Sequence, residues 1–518
     1  MLNNELLVMK NITKVYGNGV LANENIDFSL AKGEIHALIG ENGAGKSTLM
    51  KILFGIERAD RGQVYLNGKQ VEFNSPNDAI KSGIGMVHQH FKLVDLFTVS
   101  DNVILGAEPK TGIMIKQKEA LTKVQELSDK YHFDLDPREK IENLSVGKKQ
   151  KVEILKTLYR GAQLIILDEP TAVLTPQETR ELFDQLKQLR NDGHTIVFIS
   201  HHLSEVLELT DRVTVMRAGK LVGVYETEGL TEQDLSRLMV GRDVILNLEK
   251  AKAKPKETVL KIEDLTYTNE NGKKLVDDVS LSVRNGEILG IAGLEGSGQS
   301  QLVEMISGLR KVQQGKIYLM DEEIQGEKIA DIRDRGLSYI PEDRMKFGAT
   351  KTASIKENLI SNIYKKPKVS GKLFIDDKKV NEVADQLIKE YLVKCKSSSV
   401  PIGMLSGGNM QKVVVAREFS AEPKLLIAEQ PTRGVDVGAI EFIHKKLVEI
   451  RDEGTAVLLI TADLNEALEL SDSVIVMRHG RMVAYFENSD NLTEEELGFY
   501  MLGVKKQTEE EIGRVFSD

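Results

Sequence analysis

The sequence predicts an α/β protein made of two copies of one unit, each centred on a parallel sheet. Three observations predict it. Short apolar runs ending in glycine or aspartate alternate with segments of helical period. A glycine-rich loop follows one such run in each half. Three motifs recur in the same order: GENGAGKST at Gly40–Thr48, LSVGK at Leu144–Lys148 and LIILDEPT at Leu164–Thr171, then GLEGSGQSQ at Gly293–Gln301, LSGGN at Leu405–Asn409 and LLIAEQPT at Leu425–Thr432. The copies are offset by 253 residues for the first motif and 261 for the other two, the spacing left by duplication with one loop insertion.

Along the chain, LLVMKNITKVY (Leu6–Tyr16) opens the first half as an apolar strand run, and EIHALIG (Glu34–Gly40) is a buried strand feeding the first glycine-rich loop. The stretch from Asp101 to Asn143 is richer in helix formers and is expected to form a helical subdomain set apart from the sheet core. AQLIILDEP (Ala162–Pro170) and HTIVFIS (His194–Ser200) are again buried strands, with ETRELFDQLKQLRND (Glu178–Asp192) an amphipathic crossover helix between them. NLEKAKAKPKE (Asn247–Glu257) is polar, carries Pro255 and has no apolar period, so it is expected to be a linker. ETVLKIEDLTY then restarts the pattern. The predicted organisation is 1–246, a linker at 247–257, 258–505, and a charged, loosely held tail at 506–518.

Composition narrows the classes. A net charge of −10 gives a nucleic-acid partner no electrostatic support. The single cysteine, Cys395, excludes an intrachain disulfide framework and fits a reducing compartment. No apolar stretch reaches the roughly 18 residues needed to cross a bilayer. MLNNELLVMK lacks a basic segment followed by an apolar core, so no secretory signal is expected. A membrane role would therefore run through a partner.

The chemistry concentrates in Gly40–Ser47, a complete G-x-x-x-x-G-K-S between a strand and a helical run. Gly40, Glu41, Asn42, Gly43, Ala44 and Gly45 would turn successive backbone N–H groups onto phosphate oxygens, aided by the helix N-terminus before Ser47 and Thr48. Lys46 would reach the β- and γ-phosphates, and the Ser47 hydroxyl could ligate Mg²⁺. The strand LIILD delivers Asp168 to the metal region and Glu169 beside the γ-phosphate, where a carboxylate can orient or deprotonate the attacking water.

With these motifs in order, the chain resembles the ATP-binding subunits of ABC transporters over nearly its whole length, in two cassettes. The LSGG-type signature ahead of a helix decides it. The resemblance implies two tandem P-loop NTPase domains, each with a RecA-like parallel-sheet core, an antiparallel β subdomain and a helical subdomain. It implies ATP and Mg²⁺. It also implies that Tyr16 stacks on adenine, that Gln89 meets Mg²⁺ near the permease contact, and that His201 contacts the γ-phosphate.

In this family two cassettes pair head to tail, so each ATP lies between one P-loop and the other signature. The resemblance thus implies one intact site, with Gly40–Thr48, Asp168, Glu169 and His201 completed by Ser406, Gly407 and Gly408. The second is degenerate. It keeps Gly293, Gly298 and Ser300 but has Gln299 for lysine, Glu429 and Gln430 for the Asp-Glu pair, Glu342 for the glutamine and Ala462 for the histidine. Its signature keeps Ser145 and Gly147 but carries Val146 for a glycine. Loss of a general base alone costs about 10²–10⁴ in rate. The first site is therefore expected to hydrolyse Mg-ATP while the second binds nucleotide weakly or serves as a hinge; the bland alternative is a decayed cassette kept for packing.

The fused cassettes and impaired second site are similar to the ATPases of bacterial sugar and nucleoside importers. TAVLTPQE after Glu169 and QPTRGVDVGAIEFIH after Glu429 are most similar to the nucleoside branch, with a ribose-, galactose- or xylose-type importer as the alternative. That resemblance implies two integral-membrane permease subunits, an extracellular solute-binding protein acting through them, and a place on the cytoplasmic face of the membrane. A ribosome-associated translation factor with tandem cassettes is the distant alternative. It would carry two competent sites and a long charged connector.

Overall fold

The computed structural model describes residues 5–516 apart from 18, 89–90, 113, 173, 243–249, 295, 372–373 and 490–491. It divides into two compact units, Met1–Val244 and Ile245–Asp518.

In the first unit, β1 (Glu5–Val15) and β2 (Leu21–Ala31) pair antiparallel, and β3 (Ile35–Gly40) leads through the glycine-rich loop into α1 (Lys46–Leu53). β4 (Arg61–Leu66) and β5 (Lys69–Val71) complete an antiparallel sheet of order β2-β1-β4-β5. There follow α2 (Pro76–Lys81), β6 (Ile84–Val87), α3 (Val99–Ile104), a ribbon of β7 (Lys110–Thr111) and β8 (Met114–Ile115), α4 (Gln117–Lys130) and α5 (Val146–Tyr159). β9 (Leu164–Asp168), α6 (Pro176–Asn191), β10 (Thr195–Ile199), α7 (Leu203–Leu209), β11 (Arg212–Arg217), β12 (Lys220–Glu226) and α8 (Glu232–Val240) close the unit. The main sheet runs β12-β11-β3-β10-β9-β6, parallel from β11 to β6.

Both faces of this sheet are covered, which is why its strands read as unbroken apolar runs. In β9, Leu164 and Ile166 pack with Leu49 and Met50 of α1. Ile165 and Leu167 point to the opposite face, against Leu155 of α5 and Leu186 of α6. The helical stretch packs onto the sheet core: Val103, Ala120, Val124 and Phe133 share one apolar cluster with Ile165, Leu167 and Phe198. The reason is α5, which packs against α3, α4 and β6 at once.

The second unit repeats the plan with β13 (Thr258–Thr268), β14 (Lys274–Arg284), β15 (Ile288–Gly293), α9 (Gln299–Ile306), β16 (Gln314–Leu319), β17 (Glu322–Glu323), α10 (Ile329–Asp334) and β18 (Leu337–Ile340). A single π-helical turn at Arg344–Gly348 precedes α11 (Ile355–Ile360), α12 (Asp377–Glu390) and α13 (Gly407–Phe419). Then come β19 (Leu425–Glu429), α14 (Val437–Asp452), β20 (Ala456–Ile460), α15 (Leu464–Leu470), β21 (Ser473–Arg478), β22 (Arg481–Phe486) and α16 (Glu494–Leu502). The sheets run β14-β13-β16-β17 and β18-β19-β20-β15-β21-β22.

Two terminal segments depart from expectation. Of the expected linker, residues 250–257 are bound to the second unit. Lys250 Nζ donates to Ser471 O at 2.5 Å, and the buried Arg451 donates to Ala251 O at 3.0 Å while pairing with Asp472 at 2.7 Å. The segment lacks an apolar period because polar contacts hold it. Nor is the tail loosely held. Gln507 N–H donates to Val483 O at 3.0 Å, α17 (Glu509–Gly513) is opened by a Thr508–Glu511 capping box, and Ser282 Oγ donates to Val515 O at 2.6 Å. Ile512, Val515 and Phe516, spaced as one helical face, meet the core of the second unit, and the charges point outward.

Candidate functional site

β3, β9 and β10 are parallel neighbours, so their carboxyl ends share one edge of the sheet, where open α/β folds place ligands. β3 ends in the loop Gly40–Thr48, β9 ends at Asp168 with Glu169 next, and β10 ends just before Ser200 and His201. Gly40, Gly43 and Gly45 have φ of +153°, +85° and +99°. A Cβ at Gly40 would lie 2.2 Å from Met216 O, and one at Gly45 2.3 Å from Ala22 O, so packing as well as backbone conformation requires glycine there. Gly45 caps α1 without any side chain, leaving the first-turn N–H groups to face the loop.

Within the loop, Ala44 is buried and its N–H donates to Glu41 O at 3.0 Å, while Asn42 and Ser47 are exposed. Lys46 Nζ donates to Gly40 O at 2.5 Å and Glu41 O at 3.2 Å, so the ammonium is held across the loop mouth. Burial pulls its pKa down, against the charges of Glu169, Asp168 and Glu41. Tyr16 lies in the turn after β1, where its phenol is 3.3 Å from Thr48 Oγ1 and ties that turn to α1.

Glu169 adopts the left-handed backbone region at φ +50°, and its N–H donates to Ile199 O at 2.9 Å. Its carboxylate lies 3.3 Å from His201 Nδ1. Burial pushes the Glu169 pKa up, but the His201 hydrogen bond and the charges of His201, Lys46 and His202 outweigh it, leaving a value below the ordinary one. Asp168 moves the other way: burial and then the charge of Glu169 raise it, opposed by Lys46 and Lys51. The two neighbouring carboxyls are thus shifted in opposite directions, the one placed to act as base toward its ionised form. Gln89 lies outside the described residues.

The second unit keeps the backbone and changes the chemistry. Gln430 has φ +48° and its N–H donates to Ile460 O at 2.7 Å, repeating Glu169. Its side-chain Oε1 accepts from Ala462 N at 3.3 Å. Gly298 has φ +100°, like Gly45, and starts α9 ahead of Gln299 and Ser300. Gln299 is buried, with its amide against Gly293. Glu429 is 4% exposed and accepts from Tyr339 Oη at 2.5 Å. Glu342 pairs with Arg433. The turn of Tyr16 recurs at Asn269, with the N–H of each bonded four residues on at 2.9 Å, but without a ring.

Both signatures start a helix capped by their serine: Ser145 Oγ accepts from Lys148 N at 3.3 Å, and Ser406 Oγ from Asn409 N at 3.4 Å. A Cβ at Gly147 would lie 2.4 Å from Glu178 Oε1, and one at Gly408 2.5 Å from Asp436 Oδ2, so in both copies a side chain here would have to displace a carboxylate. A Cβ at Gly407 would lie 2.8 Å from the Arg344 guanidinium, whereas Val146 is 38% exposed and has room.

Three contributors escaped the sequence reading. Asn23, fully buried on β2, donates to Gly45 O at 3.1 Å and braces the loop. Glu205 accepts from Thr171 Oγ1 at 2.8 Å and Ser200 Oγ at 2.7 Å, joining the segments that carry Glu169 and His201. Tyr339 is the third. Only Glu205 had a signal, its place in SHHLSE beside His201.

Fold and site together define a tandem P-loop nucleoside triphosphatase with one intact set of motifs. A family profile described as ABC transporter matches residues 23–172 and 276–433, and the chain belongs to that family. It is 46% identical over 503 residues to the nucleoside import ATP-binding protein NupA of Lactococcus lactis subsp. cremoris (strain MG1363), covering 97% of this chain and 99% of that protein. It is 47% identical over 509 residues to the guanosine import ATP-binding protein NupO of Bacillus subtilis (strain 168), covering 98% and 99%. The glucose import ATP-binding protein TsgD13 of Haloferax volcanii is 40% identical over 531 residues, covering 96% of each chain.

Proposed function

We propose that this chain is the ATPase of a nucleoside importer, hydrolysing ATP at the first P-loop alone. The observation that carries the solute class is near full-length identity of 46% and 47% to two nucleoside-type relatives, against 40% to a glucose-type one. One-sided hydrolysis is supported by the contrast between Lys46, Asp168, Glu169 and His201 and their replacements Gln299, Glu429, Gln430 and Ala462.

In the first unit the loop N–H groups and Lys46 take the β- and γ-phosphates of ATP. Glu169, kept ionised by His201, accepts the proton of the attacking water. Tyr16 stacks on the adenine ring. Ser47 and Asp168 fit Mg²⁺: a hydroxyl starts α1 and a half-buried carboxyl stands at the end of β9, both facing the same loop. When bound, the ion would offset charge on the phosphates. Hydrolysis is expected to depend on Ser406, Gly407 and Gly408 and not on Ser145 and Gly147.

No helix among the described residues is long and apolar enough to cross a membrane. As the import relatives suggest, two integral-membrane permease subunits, fed by an extracellular solute-binding protein, would carry the solute, with this chain at the cytoplasmic face. ATP-bound closure and its release after hydrolysis would drive them through ATP's higher affinity for the closed state. The test is uptake and solute-stimulated ATPase in vesicles carrying the complex, with nucleosides and monosaccharides side by side. Nucleoside uptake alone is expected. Sugar uptake alone would leave the ATPase reading in place and overturn the solute.

A further inference from the structure

We propose that this chain carries one Mg²⁺ site, not two, because the second unit has buried its metal-position carboxylate and bound it to a phenol of the neighbouring strand. This rests on reading Ser47 and Asp168 as the metal-holding pair of the first unit.

Asp168 and Glu429 occupy the same register position, the last residue of their strands, paired with Ile199 and Ile460 respectively. Their surroundings differ. The strand beside β9 carries Met86, whereas β18 carries Tyr339, 253 residues on, the same offset as the phosphate loops. A thioether cannot donate a hydrogen bond; a phenol can. Tyr339 Oη donates to Glu429 Oε2 at 2.5 Å, and Glu429 is buried while Asp168 is not fully so. Glutamate, one methylene longer than aspartate, reaches the phenol on the neighbouring β18.

The other oxygens at the second loop are also committed. Glu342, in the place of Gln89, is ion-paired with Arg433. Arg344, two residues on, donates to Arg433 O at 2.7 Å and Gly434 O at 3.2 Å, latching this segment to the turn after Gln430. Gln430 Oε1 accepts from Ala462 N. Ser300 alone keeps its first-unit identity. Mg²⁺ demands near-octahedral oxygen geometry and gives up water reluctantly, so one hydroxyl beside a buried carboxylate already bonded to a phenol is a poor seat. Among the described residues no group of three or more His, Cys, Asp or Glu is gathered to hold an ion elsewhere. Nucleotide at the second loop would then rest on backbone N–H groups and be insensitive to a chelator.

The test counts metal rather than turnover. Mn²⁺ replaces Mg²⁺ as a paramagnetic probe on the full chain carrying Glu169→Gln, so that ATP is not consumed, and bound Mn²⁺ and nucleotide are measured per chain at saturating ATP. One Mn²⁺ per chain is expected, weakened about 10–100-fold by Asp168→Asn and unaffected by Glu429→Gln. Two Mn²⁺ per chain, or one that Glu429→Gln removes, would overturn the proposal. A Mn²⁺ indifferent to both changes would overturn the first-unit assignment and the proposal with it, while nucleoside uptake would stand.

Discussion

At Glu169 and Gln430 two side chains differing by one heteroatom stand on the same left-handed backbone, each with its N–H bonded to the neighbouring strand. Duplication has preserved the geometry of the turn while the base was lost from one copy. In the first copy the state of the base is set by His201. Burial alone would raise the Glu169 pKa, and His201 is the foremost of the groups that bring it below its ordinary value. In His201→Ala those contributions vanish, so the pKa climbs. Because the base must be ionised, the acid limb of the single-turnover rate profile should move to higher pH, with activity lost first at low pH. An acid limb that stays in place would contradict the His201–Glu169 coupling. The motif residues were legible because phosphate chemistry restricts residue type and spacing together. Asn23 and Tyr339 were not, since each acts through a partner far off in sequence.

The elements follow from apolar period where burial sets the sequence, and escape it where polar contacts do. β9 and β10 are buried on both faces and could be read as unbroken apolar runs. The segment 250–257, held by polar contacts, could not, nor could 506–518, where nine charged or polar positions conceal three that matter, Ile512, Val515 and Phe516. Val515 is 5% exposed, and burying such a side chain contributes about 1.5–3 kcal/mol. Ending the chain after Lys505 should therefore destabilise the second unit by a few kcal/mol, read as an earlier transition in urea followed by circular dichroism. A coincident curve would show that the docked tail contributes nothing. The helical stretch meets the sheet through α5, which faces two layers, so one cluster spans both.

For the whole molecule, two units of one fold carry unlike chemistry, and both the repeat and its asymmetry were legible because the motifs sit at constant offsets. What the units do for one another is a matter of function. If the second signature completes the first site, Ser406→Arg should lower ATP hydrolysis by about 10²-fold or more, on the scale of losing a catalytic group, whereas Ser145→Arg should leave it near the parent rate. Equal losses from both would mean that both signatures serve hydrolysis. The most direct measurement is single-turnover ATP hydrolysis by the Glu169→Gln chain. A fall of about 10²–10⁴ is predicted, because the second unit has no base to take over; retention of half the parent rate would show that it hydrolyses ATP and would contradict a one-sided engine.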